Sequence, residues 1–153
     1  MLTRRLAVAV REETSERDRV RRVFGQYVSD EVAEHLLAEG GGRKGARREV
    51  VVLFADIRGF TTWTENAEPD ELVARLNAYF DAMVGAIHGE GGVVDKFIGD
   101  AIMAVFDGVL PHEAPEDAAL RAALGMQAAL VELNAEWRAE GRDPWQTGIG
   151  LHR

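Results

Sequence analysis

The pattern of apolar and polar positions divides the chain into an N-terminal stretch with little to bury and a longer part able to form one core. Residues 11 to 22, "REETSERDRVRR", are almost wholly charged or polar and read as a solvated helix or linker. Ser29 then caps a short helix with Asp30 and Glu31 in its first turn, and Val32, Leu36 and Leu37 give it a narrow apolar stripe as far as Gly40. "GGGRKGARR", from Gly40 to Arg48, is Gly-rich and basic, the composition of a flexible connection. The domain boundary is placed there, with residues 1–45 as charged helix and linker and residues 46–153 as the folded part.

"VVLFADIRGF", residues 51 to 60, fits a strand with both faces buried, yet it carries a carboxylate, Asp56, to its tip. From Glu68 to His88 the apolar positions Leu72, Val73, Leu76, Phe80, Met83, Val84 and Ile87 recur at helical steps, with Pro69 near the start and glycines after the end. "GVVDKFIG" and "DAIMAVF" are β-rich segments meeting at Gly99-Asp100, which predicts an antiparallel hairpin with an acid in its turn. Pro115 opens a second long helix carrying Leu120, Leu124, Leu130, Leu133 and Trp137, and Gly141 stops it. "TGIGLHR" reads as a further strand. The order strand, helix, hairpin, helix, strand predicts an α+β fold, a ferredoxin-like antiparallel sheet with helices on one face. Such a sheet usually has another strand and helix, so the expectation is a domain incomplete at its C-terminal side.

Composition narrows the function. At 153 residues and 46% hydrophobic content, the chain can bury one sizeable core. A formal net charge of −8 argues against a nucleic-acid polymer as partner, because such binding arrays Lys and Arg against phosphates. A protein of this charge that handles phosphates would recruit a cation. The absence of cysteine removes disulfides, thiolate metal sites and a Cys nucleophile together. "MLTRRLAVAV" begins like a signal peptide, but its apolar part, Leu6 to Val10, is shorter than the roughly 7 to 15 residues of such a core or the ~20 of a membrane span, so the chain reads as soluble.

Candidate chemistry gathers at Asp56 and at "DKFIGD", Asp95 to Asp100. If the first strand and the hairpin are neighbours, Asp56 and Asp100 meet at one rim of the sheet and repel unless something neutralises them. A hard divalent ion does so, leaving coordination positions for phosphate oxygens. Gly59 permits an unusual backbone turn ahead of Thr61 and Thr62, where exposed N–H groups can hold phosphate. Lys96, between Val94 and Phe97 in a hairpin expected to be buried, is costly unless its ammonium reaches a partner: Asp95, Asp100, Glu90 or a ligand. The four histidines are scattered and receive no role.

"VVLFADIRGFT", an amphipathic helix, and then "GGVVDKFIGDAIMAVF" together resemble the class III nucleotidyl cyclase catalytic domain over about Val50 to Leu151. The resemblance implies that Asp56 and Asp100 bind two metal ions, Mg²⁺ or Mn²⁺, with help from the Ile57 carbonyl. It implies that Phe60 and Thr61, after Gly59, hold the triphosphate in a backbone turn, and that Lys96 contacts the purine and favours ATP over GTP. The implied reaction converts ATP to 3′,5′-cyclic AMP and pyrophosphate in a head-to-tail homodimer for intracellular signalling, each site drawing metal ligands from one chain and the lysine from the other. "FGQYVSDEV" resembles the segment that joins a sensor or membrane part to such domains, so the implied setting is a cytoplasmic catalytic domain, with an upstream sensor or membrane anchor in the parent protein. After "GIGLH" the family continues to a second purine contact and to an asparagine and an arginine that stabilise the transition state, whereas this sequence has Arg153. The expectation is a fragment nearly inactive by itself. Three alternatives stay open: a guanylate cyclase, a non-catalytic nucleotide-binding or dimerisation domain, and a palm-like enzyme of the diguanylate cyclase type, whose "GGDEF" turn differs from "GGVVD" here.

Overall fold

The computed structural model describes residues 47–65 and 67–153. The charged run, the helix capped by Ser29 and nearly all of the Gly-rich connection lie outside the described residues. The elements run β1 (Val51–Ile57), α1 (Phe60–Thr64), α2 (Pro69–Gly89), β2 (Val93–Ile98), β3 (Ala101–Phe106), α3 (Pro115–Ala139) and β4 (Thr147–His152). The strands form one sheet in the order β2-β3-β1-β4, with every neighbouring pair antiparallel. This is the ferredoxin-like arrangement expected from the sequence. It contains one element more, the short helix α1, where the sequence predicts a turn. Among the described residues no helix is long and apolar enough to cross a membrane.

Strand β1 departs from its expectation. Its burial alternates, with Val51, Leu53, Ala55 and Ile57 inside while Phe54 is 47% exposed and Asp56 faces out. The cause is layering: α2 and α3 both pack on the inner face, so period-two alternation decides each residue's fate. Lys96 shares this outcome. Asp95 is an extra residue between Val94, opposite Ala104, and Lys96, opposite Met103, and this bulge turns Asp95 and Lys96 outward together. Lys96 is therefore not buried, and its cost there does not arise.

The core stripes of the two long helices match the sequence pattern only in part. In α2 the buried positions are Arg75, Tyr79, Met83 and Ile87, four residues apart, while Val73 is exposed. In α3, Leu130 and Trp137 are buried as expected, and so are Ala118, Ala119, Ala122 and Met126, while Leu120 and Leu124 face out. Small side chains allow α3 to lie close against α2 and the sheet, and the leucines beside them are rotated away.

A cluster of rings closes the end of the core below β4. The Arg75 guanidinium, 2% exposed, stacks 4.9 Å from Trp63, 4.3 Å from Trp137 and 4.5 Å from Trp145, and donates to the Asp143 carbonyl at 2.6 Å. Burial pushes its pKa down and the Glu71 carboxylate pushes it back up, while the indole faces offset part of the lost hydration. Asn134, buried in α3, binds the backbone of Trp145 twice: its amide donates to the carbonyl at 2.7 Å and accepts the N–H at 2.8 Å. Asn134→Ala would strand both groups, each unsatisfied buried group costing about 1–3 kcal/mol. The expected result is a fall in unfolding free energy of about 2–4 kcal/mol in urea; an unchanged midpoint would show that water replaces the amide.

Candidate active site

The site is assembled by one register. Ala55 of β1 lies opposite Ile102 of β3, so the end of β1 reaches the hairpin turn that joins β2 to β3. That turn has two central residues, Gly99 and Asp100, since Ile98 pairs with Ala101. Gly99 takes a φ of 65°, and positive φ at the first central residue is what a type II′ turn requires. The turn presents Asp100 back toward β1, where its Oδ2 accepts the Ile57 N–H at 3.2 Å. Asp56 and Asp100 thus meet at the rim of the sheet.

Burial, and next the hydrogen bond to Asp56, push the Asp100 pKa above the usual carboxylate range, and its backbone hydrogen bonds pull it partly back. Asp56 is held from the other side. Thr147, opposite Ile57 at the start of β4, donates its hydroxyl to the Asp56 carbonyl at 3.0 Å. With its proton so committed, Thr147 accepts from the Tyr79 hydroxyl at 2.8 Å. Burial raises the Tyr79 pKa, opposed by the bond to Thr147 and reinforced by the charges of Asp100 and Asp56, which keeps the phenol protonated as a donor. Sequence reading assigned no role to Thr147 or Tyr79. The one available signal was a tyrosine at a helical core spacing, where a phenylalanine would bury more cheaply.

Beyond Ile57, Arg58 donates its N–H to the Gln146 carbonyl at 2.8 Å, and Gly59 turns the chain with a φ of 69° into α1. Gly59, Phe60 and Thr61 therefore follow the acids directly, and Phe60 packs on Trp63 and Trp145. A cavity of about 510 Å³ lies at this turn, lined by Ile57, Arg58, Gly59, Phe60, Trp63 and Trp145 among others. A second, of about 540 Å³, is lined by Trp63, Glu71, Arg75, Arg142 and Asp143 among others, and by neither Asp56 nor Asp100.

The structure does not bring Lys96 to the acids. It sits opposite Met103, which is opposite Phe54, so two strand spacings and two residues along β1 separate it from Asp56, roughly 10 Å or more. Its Nζ pairs with Asp95 Oδ2 at 3.0 Å, with the side chains 57% and 44% exposed. An ion pair so exposed holds Lys96 weakly and leaves it free to turn to another partner.

The donor set fits a hard divalent ion. Among the described residues no group of three or more His, Cys, Asp or Glu could enclose a metal. Two carboxylates alone, one with its pKa raised in the absence of a cation, suit an ion that keeps several positions for water and phosphate oxygen.

The profile described as the adenylate and guanylate cyclase catalytic domain matches residues 43–153, and the chain belongs to that family. It is 44% identical over 110 residues to an adenylate cyclase of Anabaena cylindrica, covering 69% of this chain and 21% of that protein. It is 33% identical over 131 residues to adenylate cyclase 1 of Rhizobium meliloti strain 1021, covering 84% of this chain and 20% of that protein. The chain thus spans about a fifth of the length of these curated relatives. Among solved structures, the guanylyl cyclase Cya2 superposes with a TM-score of 0.68 at 36% identity, covering 71% of this chain and 55% of that one. A bacterial light-regulated adenylyl cyclase gives 0.71 at 29% identity, covering 95% and 42%. The palm-type fold and the class III cyclase domain read from the motifs both stand.

The raised Asp100 pKa has a consequence for stability without metal. A carboxyl whose folded pKa exceeds its unfolded one stabilises the fold fully below the unfolded value, and that contribution is lost as pH rises through the folded value. Asp100→Asn removes this loss. In EDTA, the variant's melting temperature is expected to exceed the wild type's at pH 7, with the gap closing near pH 4. A gap that is absent, or that widens on acidification, would refute the raised Asp100 pKa.

Proposed function

We propose that the chain carries the metal-binding half of an adenylate cyclase site that converts ATP to 3′,5′-cyclic AMP and pyrophosphate. The observation that carries this reading is the junction of Asp56 and Asp100 at the Ile57 N–H, directly beside the turn at Gly59. In this reading Asp56, Asp100 and the Ile57 carbonyl hold two ions, Mg²⁺ or Mn²⁺. Bound there, the ions lower the pKa of the ribose 3′-hydroxyl and offset the phosphate charge. Gly59, Phe60 and Thr61 bind the triphosphate through their backbone and set the α-phosphate in line with the 3′-oxygen. The new bond joins that oxygen to the α-phosphorus, the bond to the bridging oxygen breaks, pyrophosphate leaves, and the hydroxyl proton passes to solvent.

Lys96 lies on the same outward side of the sheet but far from its own acids, which supports a site shared by two chains. Head to tail, Lys96 of one chain meets the purine bound by the acids of the other. A lysine there donates to an acceptor on the base, and the preference for adenine is what the resemblance implies. The similarity to a guanylyl cyclase keeps GTP as the second reading, and the product distinguishes them.

Two chains assayed together test this division. The short chain is mixed with a form extended through the family's next strand and helix but carrying Asp56→Ala and Asp100→Ala. Cyclic AMP is expected from ATP with Mg²⁺ or Mn²⁺ in the mixture, and far less from either chain alone. Asp56→Ala in the short chain as well should lower the rate at least about 10²-fold, as loss of a preorganised charge partner does. Cyclic GMP as the main product would shift the reading to a guanylate cyclase. No product, with the extended wild type active and the short chain folded, would leave only a non-catalytic domain.

A further inference from the structure

We infer that Arg58 is a phosphate-binding residue of this site, donating to the triphosphate chain of the bound nucleotide beside the turn at Gly59 to Thr61. The inference rests on the cyclase reading and deepens it.

The placement of the side chain comes first. Gly148 is opposite Asp56 in the pairing of β1 with β4, and the Arg58 guanidinium lies against it: a Cβ at position 148 would stand 2.6 Å from Cζ and 2.7 Å from Nε. A glycine leaves the room there, and the cation occupies the volume in which a side chain facing Asp56 would sit. Asp100 approaches Asp56 from the β3 side and Arg58 flanks it from the β4 side. The rim of the sheet thus carries two acids for cations and, beside them, one cation for an anion.

The second observation is that this cation is unspent. The Arg58 main-chain N–H is committed to Gln146, but among the described residues its side chain forms no ion pair and no hydrogen bond. Three other arginines find a carboxylate: Arg121 pairs with Glu90, Arg142 with Glu71 and Arg153 with Glu49. A guanidinium lying by Gly148 on the β4 side of Asp56, with no side-chain hydrogen bond among the described residues, is poised for a different acceptor. It lines the 510 Å³ cavity together with Gly59 and Phe60, the residues that face the phosphates in the proposed function. The indoles of Trp63 and Trp145 form the wall behind, which lowers the local dielectric and strengthens a charge-assisted contact.

Chemistry selects the acceptor. A guanidinium presents its donors in a planar fork that matches two oxygens of a phosphate, and its charge is permanent. A nucleoside triphosphate brings more negative charge than the ions it shares with the two acids offset. The departing pyrophosphate gains charge as the bond breaks, so a fixed cation at the β- and γ-phosphates helps both binding and departure. Arg58 would touch those phosphates and not the base or the ribose.

Binding measured by calorimetry with Mn²⁺ separates this role from a structural one. The ligands are ATP, inorganic triphosphate and AMP, and the proteins are wild type, Arg58→Gln and Arg58→Lys. Loss of a charged hydrogen-bond partner is expected to weaken ATP and inorganic triphosphate about tenfold in Arg58→Gln. AMP, Mn²⁺ affinity and melting temperature should stay at wild-type values, and Arg58→Lys should recover part of the loss. Unchanged triphosphate affinity in Arg58→Gln overturns the assignment of Arg58 alone. An equal loss for AMP, or a fall in melting temperature of both variants, also overturns it, in favour of a structural arginine. A wild type that binds Mn²⁺ but neither ATP nor inorganic triphosphate overturns the cyclase reading and this inference with it.

Discussion

Asp100 meets Asp56 in a place neither can leave. One is fixed by a two-residue turn and by the Ile57 N–H at 3.2 Å, the other by the end of a central strand and by Thr147 on its carbonyl. Burial first, and then the neighbouring Asp56 side chain, push the Asp100 pKa up, so the charged form of Asp100 is costly in this place. The confinement is supplied by ordinary parts: an antiparallel register, a II′ turn and a tyrosine hydroxyl from the covering helix. In the proposed cyclase site this cost becomes useful, because carboxylates already held together need no reordering to bind a cation.

The turn that follows the acids depends on a different contact. Helix α1 has only five residues and buries none of them fully, so it cannot hold its own position. Trp63 ties it down, stacking on the Arg75 guanidinium and lying edge-on to Trp145 at 5.0 Å. Asn134 then fixes Trp145 to α3. The turn at Gly59 is therefore anchored through a chain of rings and one buried cation to both long helices, and its shape is a property of the core as much as of the loop.

The sheet, the two long helices and the hairpin were legible in the sequence because hydrophobic period, Pro starts and Gly stops all agreed there. The acids were legible because a carboxylate at the end of an apolar strand is expensive and calls for a reason. Three features were not. The exposure of Phe54 and Lys96 depends on which face of the sheet the helices choose and on a bulge at Asp95, neither of which leaves a local trace in composition. The burial of Arg75 depends on three indoles contributed by α1, α3 and the segment before β4, far apart in the chain. The helix stripes were legible except at Val73, Leu120 and Leu124, which face out, because close helix packing selects alanine where hydrophobicity alone would choose the larger side chain.

All three tryptophans of the chain stand in that one cluster, with Trp145 5.0 Å from Trp63 and 5.1 Å from Trp137. Its intrinsic fluorescence is consequently a local signal. Excitation passes readily among rings at such spacing, and the emission reports the surroundings of a single cation instead of an average over the molecule. A melting curve followed by emission would trace the moment Arg75 loses its indoles and the turn at Gly59 loses its anchor, while circular dichroism would trace the helices. Whether the two curves coincide is a statement about how cooperatively the site and the sheet are joined.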